Sequence, residues 1–123
     1  MNRLNVVIAS RDTSVASHLA ESLNGQFRSV SVAHSLDEVR QAIPRHRAQV
    51  AIVDLETADL AQVKEICSEF GHTYVVCTHR IPDEEMWAEA LAAGAIDCCH
   101  NADVAGIMDA VRRNVQLARS KAA

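Results

Sequence analysis

Residues 49–56 read Gln49-Val50-Ala51-Ile52-Val53-Asp54-Leu55-Glu56. The run 50–53 is wholly apolar and mostly β-branched, the pattern of a strand buried on both faces of a parallel sheet. It ends on Asp54, which carries a carboxylate from the core to the carboxyl end of that strand. In open parallel α/β sheets the ligand crevice lies outside those ends, so Asp54 stands where such folds do chemistry. Its plainer role is to cap the following helix or open a turn. What the other strand ends contribute decides between the two.

Working outward, residues 4–9, 28–33, 73–78 and 95–99 read as further strands. The helical patterns fall between them. Thr13 or Ser14 caps a first helix with Val15, Leu19 and Leu23 on its inner face, and Asn24-Gly25 closes it. Ser35 opens a second, with Glu38 completing a capping box and Leu36, Val39 and Ile43 inward; Pro44 and the basic run Arg45-His46-Arg47 end it. Asp59 caps a third that runs to about Phe70, with Leu60, Val63, Ile66 and Cys67 inward. Pro82 and Asp83 start a fourth carrying Met86, Trp87 and Leu91, which ends near Gly94. Asp103 starts the last, with Ile107, Met108, Val111, Val115 and Leu117 inward, and this helix frays over 119–123. Five strands alternating with five helices through short loops require an α/β fold, with a parallel sheet, right-handed crossovers and helices on both faces.

The 123 residues suffice for one domain, expected over 1–119 with 120–123 as a polar tail or the start of a linker. Aromatic residues make up only 3% of the chain, so the core is aliphatic. A net charge of −4 argues against an electrostatic grip on nucleic acid. The basic residues Arg112, Arg113, Arg119 and Lys121 read as favourable charge near a helix C-terminus. The four cysteines show no metal-ligand spacing, and reduced thiols are expected. Cys77 reads as a small buried hydrophobe, and a bond between neighbours Cys98 and Cys99 would be strained. With no signal peptide and no apolar run long enough to cross a bilayer, the expected location is the cytoplasm, away from the membrane.

The strand ends deliver Ser10-Arg11-Asp12, Asp54, Thr78-His79 and His100-Asn101. Here the chain resembles the receiver domains of two-component response regulators, over essentially its whole length. Val53-Asp54-Leu55 is similar to the phospho-acceptor strand, and Val76-Cys77-Thr78-His79 to the strand that ends in the switch hydroxyl. The most specific likeness is Ala90-Leu91-Ala92-Ala93-Gly94-Ala95-Ile96-Asp97, which resembles the family's helix-to-strand signature. The resemblance implies a flavodoxin-like, doubly wound three-layer fold with strand order 2-1-3-4-5. It also implies a regulatory domain of phosphorelay signalling rather than an enzyme, with Asp54 as acceptor and Thr78 as hydroxyl. Its partners would be a sensor kinase or an output protein, and a homodimer through the fourth or last helix fits as well.

The chain departs from the family at the charged positions. Ser10 and Arg11 fall where the acidic pair belongs, Asp12 at the third acidic place, and Asn101 where a lysine belongs. The loop after Asp54 lacks the usual turn residues. Asp12 and Asp54 then offer two carboxylates at most for Mg²⁺, and Arg11 brings a fixed positive charge that disfavours the cation. Arg11 is expected to pair bidentately with Asp54 instead. Loss of one charge-stabilising group costs about 2–4 kcal/mol of transition-state stabilisation. The leading expectation is therefore an atypical receiver, with impaired or absent Mg²⁺-dependent phosphorylation, that acts through protein–protein contacts.

The resemblance places the interaction surface around Met86, Trp87, Cys98, Met108 and Arg112. For Trp87, core packing is the commoner role and an interface anchor the alternative. A second reading keeps phosphorylation at Asp54. A third, in another class, is a metal- or redox-binding domain in which His79, His100, Asp54 and Cys99 approach one shell. A flavin or dinucleotide site is disfavoured, since residues 10–14 contain no glycine. His18, His34, His46 and His72 read as surface residues without partners.

Overall fold

A computed structural model describes residues 3–122, with side chains described over 3–116. The elements are β1 (Asn5–Ala9), α1 (Thr13–Leu23), β2 (Ser29–Ala33), α2 (Leu36–His46), β3 (Val50–Asp54), α3 (Leu60–Glu69), β4 (Tyr74–His79), α4 (Glu84–Ala92), β5 (Asp97–His100) and α5 (Val104–Ala122). All pairings are parallel, in the order β2-β1-β3-β4-β5 that the resemblance implied. β3 lies in the middle and is buried along its whole length, which is why its sequence is a continuous apolar run rather than an alternation.

Because successive strand side chains point to opposite faces, the sheet divides the core in two. Val7, Ala51, Val53, Val75, Cys77 and Cys98 face α2, α3 and α4, whose Val39, Ile43, Val63, Ile66 and Ala90 close that side. Val6, Ile8, Val50, Ile52, Val76 and Cys99 face α1 and α5, where Leu19, Leu23, Ile107 and Val111 pack. The core is mainly aliphatic on both sides, with Phe27 buried on the α1–α5 side and Phe70 packed against the other.

Several local expectations shift. The cap of α1 is Asp12 rather than Thr13 or Ser14: one carboxylate oxygen accepts from the amides of Ser14 (2.9 Å) and Val15 (3.2 Å), and a negative charge at this end is favoured by the helix dipole. Ser35 caps α2 through the Glu38 amide, but Glu38 reaches back to the amide of His34, one residue before the cap. Pro44 sits inside the last turn of α2. The proline φ suits a helix and only one backbone bond is lost there, so the helix runs on to His46 and is capped by Arg47 with φ 51°, within the basic run expected to end it. β5 begins at Asp97, not Ala95, because the Ala95 amide bonds to Ala90 O and still belongs to the end of α4. The backbone of α5 is helical through Ala122, across the stretch expected to fray; the inward placing of Leu117 and the tail at Ala123 lie outside the described residues.

Candidate functional site

The carboxyl edge of the sheet gathers the ends of β1, β3, β4 and β5. Asp54 is the last residue of β3 and is 5% exposed; Thr78, its register partner on β4, is 1% exposed. A carboxylate this buried must be hydrogen-bonded, and Asp54 is. Its Oδ1 accepts from the Glu56 amide at 3.1 Å, and its Oδ2 from the Ser10 hydroxyl at 3.3 Å. The turn that lacks the family's usual residues is built from the backbone: Asp54 O accepts from the amides of Thr57 (2.9 Å) and Ala58 (3.1 Å). Asp54 thus caps its own turn, the plainer role read from the sequence, and leaves its carboxylate at the sheet edge.

Ser10 is buried at the end of β1, and its hydroxyl supplies a donor where a second carboxylate would have repelled Asp54. Arg11 points elsewhere. It is exposed, its amide donates to Thr57 Oγ1 at 2.9 Å, and among the described residues its guanidinium forms no salt bridge. The expected bidentate pair with Asp54 is therefore absent, since Arg11 follows an inward-facing Ser10 and turns to solvent. Asp12 is occupied by α1. Asn101 holds its backbone amide to His79 O at 3.1 Å, and its side chain lines a shallow hollow with Ser14, Val15 and His18.

The donor set is sparse for Mg²⁺, which takes near-octahedral oxygen ligands, one or two of them protein carboxylates and several of them waters. Asp54 supplies a carboxylate that already accepts two hydrogen bonds, and Asp12 gives one oxygen to the α1 cap while its charge stays in place. Among the described residues no three His, Cys, Asp or Glu side chains are grouped to hold a metal ion. The alternative shell of His79, His100, Asp54 and Cys99 is not assembled: Cys99 faces the α1–α5 core, and the ring nitrogens of His79 and His100 accept from the amides of Ile81 and Ala102.

The edge also holds residues that the sequence did not single out. Glu56 pairs with Arg80 at 2.6 Å and lies 3.7 Å from His79 Nε2, clipping the β3–α3 turn to the β4–α4 loop. Thr57 is buried and receives Arg11, and His34, expected to lack a partner, holds a ring nitrogen 3.2 Å from Ser10 O. The signal for Glu56 and Arg80 was their place two residues after Asp54 and Thr78; for His34 no sequence signal existed, since its partner is a backbone carbonyl.

The surface around α4, β5 and α5 is only partly as expected. Trp87 is 46% exposed, which corrects the core-packing role, and its indole N–H donates to Asp97 Oδ1 at 3.0 Å. Arg112 is exposed, while Met86 packs partly into the α2–α4 side of the core. Cys98 and Met108 are buried and present little surface to a partner, because their positions on β5 and α5 face the two cores. All four cysteines are free thiols. Burial, reinforced by Asp97 and Asp103, pushes the Cys99 thiol up to about 12; burial pushes Cys77 up as well, and Cys98 too, the latter helped by Asp97 and Asp83. Neutral thiols are poor nucleophiles, so the Cys98-Cys99 pair has no activating surroundings.

No family model and no curated protein matches the sequence. Among solved structures, the signal receiver domain of a putative LuxO repressor protein from Vibrio parahaemolyticus superposes with a TM-score of 0.81 at 17% identity, over 97% of this chain and 95% of that one. A response regulator from Thermotoga maritima gives 0.79 at 18%, over 90% and 96%. A response regulator protein from Burkholderia pseudomallei, solved with a phosphorylated aspartic acid, calcium ion and citrate, gives 0.78 at 19%, over 98% of this chain and 73% of that one. Identities this low speak for architecture, and the architecture agrees over nearly the whole length. The chain has the fold of the response regulator receiver domains.

Proposed function

We propose that the chain is a receiver-like regulatory domain of two-component signalling that works through protein contacts, with Mg²⁺-dependent phosphorylation impaired or lost. The observation that carries this reading is the pair Ser10–Asp54. The position that the resemblance gives to a metal-binding carboxylate holds a buried hydroxyl, 3.3 Å from Asp54 Oδ2 and 3.4 Å from Asp12 O, which supports a site that does without a cation. The absence of a lysine at Asn101 and the outward turn of Arg11 leave no positive charge committed to a phosphoryl group. Phosphoryl transfer depends almost entirely on such charge. The partners in this reading are a sensor kinase or an output protein, met in the cytoplasm.

A second reading, with Asp54 a working phospho-acceptor, is favoured by one observation: Asp54 and Thr78 sit side by side in register at the sheet edge, as a carboxylate and its phosphoryl-binding hydroxyl would. Intact mass after incubation with acetyl phosphate and Mg²⁺, beside an Asp54→Ala control, separates the two. The first reading expects little or no adduct on either protein. A near-stoichiometric 80-Da adduct that depends on Asp54 would sink it in favour of the second.

A further inference from the structure

The cleft between α3 and α4 has a partly apolar floor that no other described residue covers. Leu55, Leu60 and Met86 line a cavity of about 340 Å³. Leu60 and Glu89 are shared with a second cavity of about 330 Å³, which continues over Ala61, Ala92 and Ala93. The two form one groove, along which Glu85, Glu89 and Ala92 step down α4 for about two turns. The rim is acidic. Asp59, Asp83, Glu85 and Glu89 border it, and among the described residues none of the four is in a salt bridge. Asp59 and Asp83 each give one oxygen to a helix cap, which leaves their charge in place. Lys64 is the one Lys or Arg among the residues lining the two cavities.

We propose that this groove docks a basic amphipathic helix of a protein partner. An apolar strip flanked by unpaired carboxylates matches a helix whose Leu-type residues recur at i, i+3, i+4 and i+7 with Lys or Arg beside them. Helix-in-groove binding takes its affinity from the apolar strip, and the charges set orientation, on-rate and the exclusion of wrong partners. The acidic rim turns away nucleic acid and anionic membrane, and the apolar floor offers nothing to a hydrated cation. The occupant would touch Leu55 and His79, the residues that follow Asp54 and Thr78. The proposal needs no chemistry at Asp54.

The test is titration of the ¹⁵N-labelled chain with a 14-residue Leu/Lys amphipathic helical peptide and, separately, its Leu/Glu counterpart. Amide shifts from the Lys peptide are expected at Leu55, Leu60, Met86 and 89–93, with none from the Glu peptide. Glu85→Lys with Glu89→Lys should weaken binding at least tenfold. Glu21→Lys with Asp37→Lys, an equal charge change on exposed positions of α1 and α2, should stay within twofold. Spectra of each variant establish that it is folded. Equal loss in both pairs, shifts scattered over the surface, equal binding of the Glu peptide, or no shift at millimolar Lys peptide would each overturn the proposal. So would concentration-dependent shifts at the groove without peptide, which would make a second copy of this chain the occupant.

Discussion

At the scale of single residues, the site turns on what faces Asp54. A hydrogen bond to a charged group is worth at most about 1.5–3 kcal/mol, and the Ser10 hydroxyl, 3.3 Å from Asp54 Oδ2 and 3.4 Å from Asp12 O, supplies a long and shared one to a carboxylate that is 5% exposed. An aspartate at position 10 would bring a second negative charge into the same buried space. We expect Ser10→Asp with Arg11→Asp to be roughly 3 kcal/mol less stable than the natural chain without divalent cation. Millimolar Mg²⁺ should recover part of that loss, since binding only the folded state stabilises by mass action, while the natural chain stays unmoved. Thermal melts with and without Mg²⁺ decide it. A variant indifferent to Mg²⁺ would mean that the two positions do not face a common ion.

At the scale of elements, two glycines with positive φ close helices, and their surroundings differ. Gly25, after α1, has φ 94° and open space where a Cβ would stand. Gly94, after α4, has φ 109°, and a Cβ there would come 2.9 Å from the Cβ of Cys67 on α3. Gly25→Ala meets only the backbone penalty of about 1 kcal/mol. Gly94→Ala adds a clash with a packed helix, and we expect it to cost at least twice as much in urea unfolding. Equal costs would show that α3 gives way freely. The same Gly94 turn allows Ala95 to bond back to Ala90 and β5 to start at Asp97, which seats Cys98 and Cys99 on opposite cores.

At the scale of the whole molecule, thiols are buried on both sides of the sheet, Cys77 beneath α2–α4 and Cys99 beneath α1 and α5. Burial raises both above their ordinary value, Cys99 to about 12. The unfolded chain therefore loses these protons first as pH rises. Their contribution to stability is complete below about pH 9 and is lost progressively between pH 9 and 12. Cys77→Val with Cys99→Val keeps the apolar volume and removes the titration. The difference in unfolding free energy between natural chain and variant should move in the variant's favour from pH 8 to pH 11. A constant difference would contradict the burial of neutral thiols.

Much of this was legible in the chain itself. The continuous apolar run at β3, the alternation of strand and helix, and the Gly-Ala turn before β5 fix the layers, and the run's final Asp54 fixes which carboxylate stands at the sheet's carboxyl edge, because burial on both faces leaves no other way to place such a strand. The caps at Ser35, Asp59 and Asp83 were readable for a local reason: a cap bonds amides two or three residues away. Tertiary structure alone decided the rest. That Ser10 would turn inward to Asp54 and Arg11 outward, that Glu56 would reach Arg80, that His34 would meet a carbonyl, and that Trp87 would lie half-exposed against Asp97 all depend on which strand ends and loops converge across tens of residues. A side chain at a strand end is aimed by its neighbours in space, and local pattern carries no record of them.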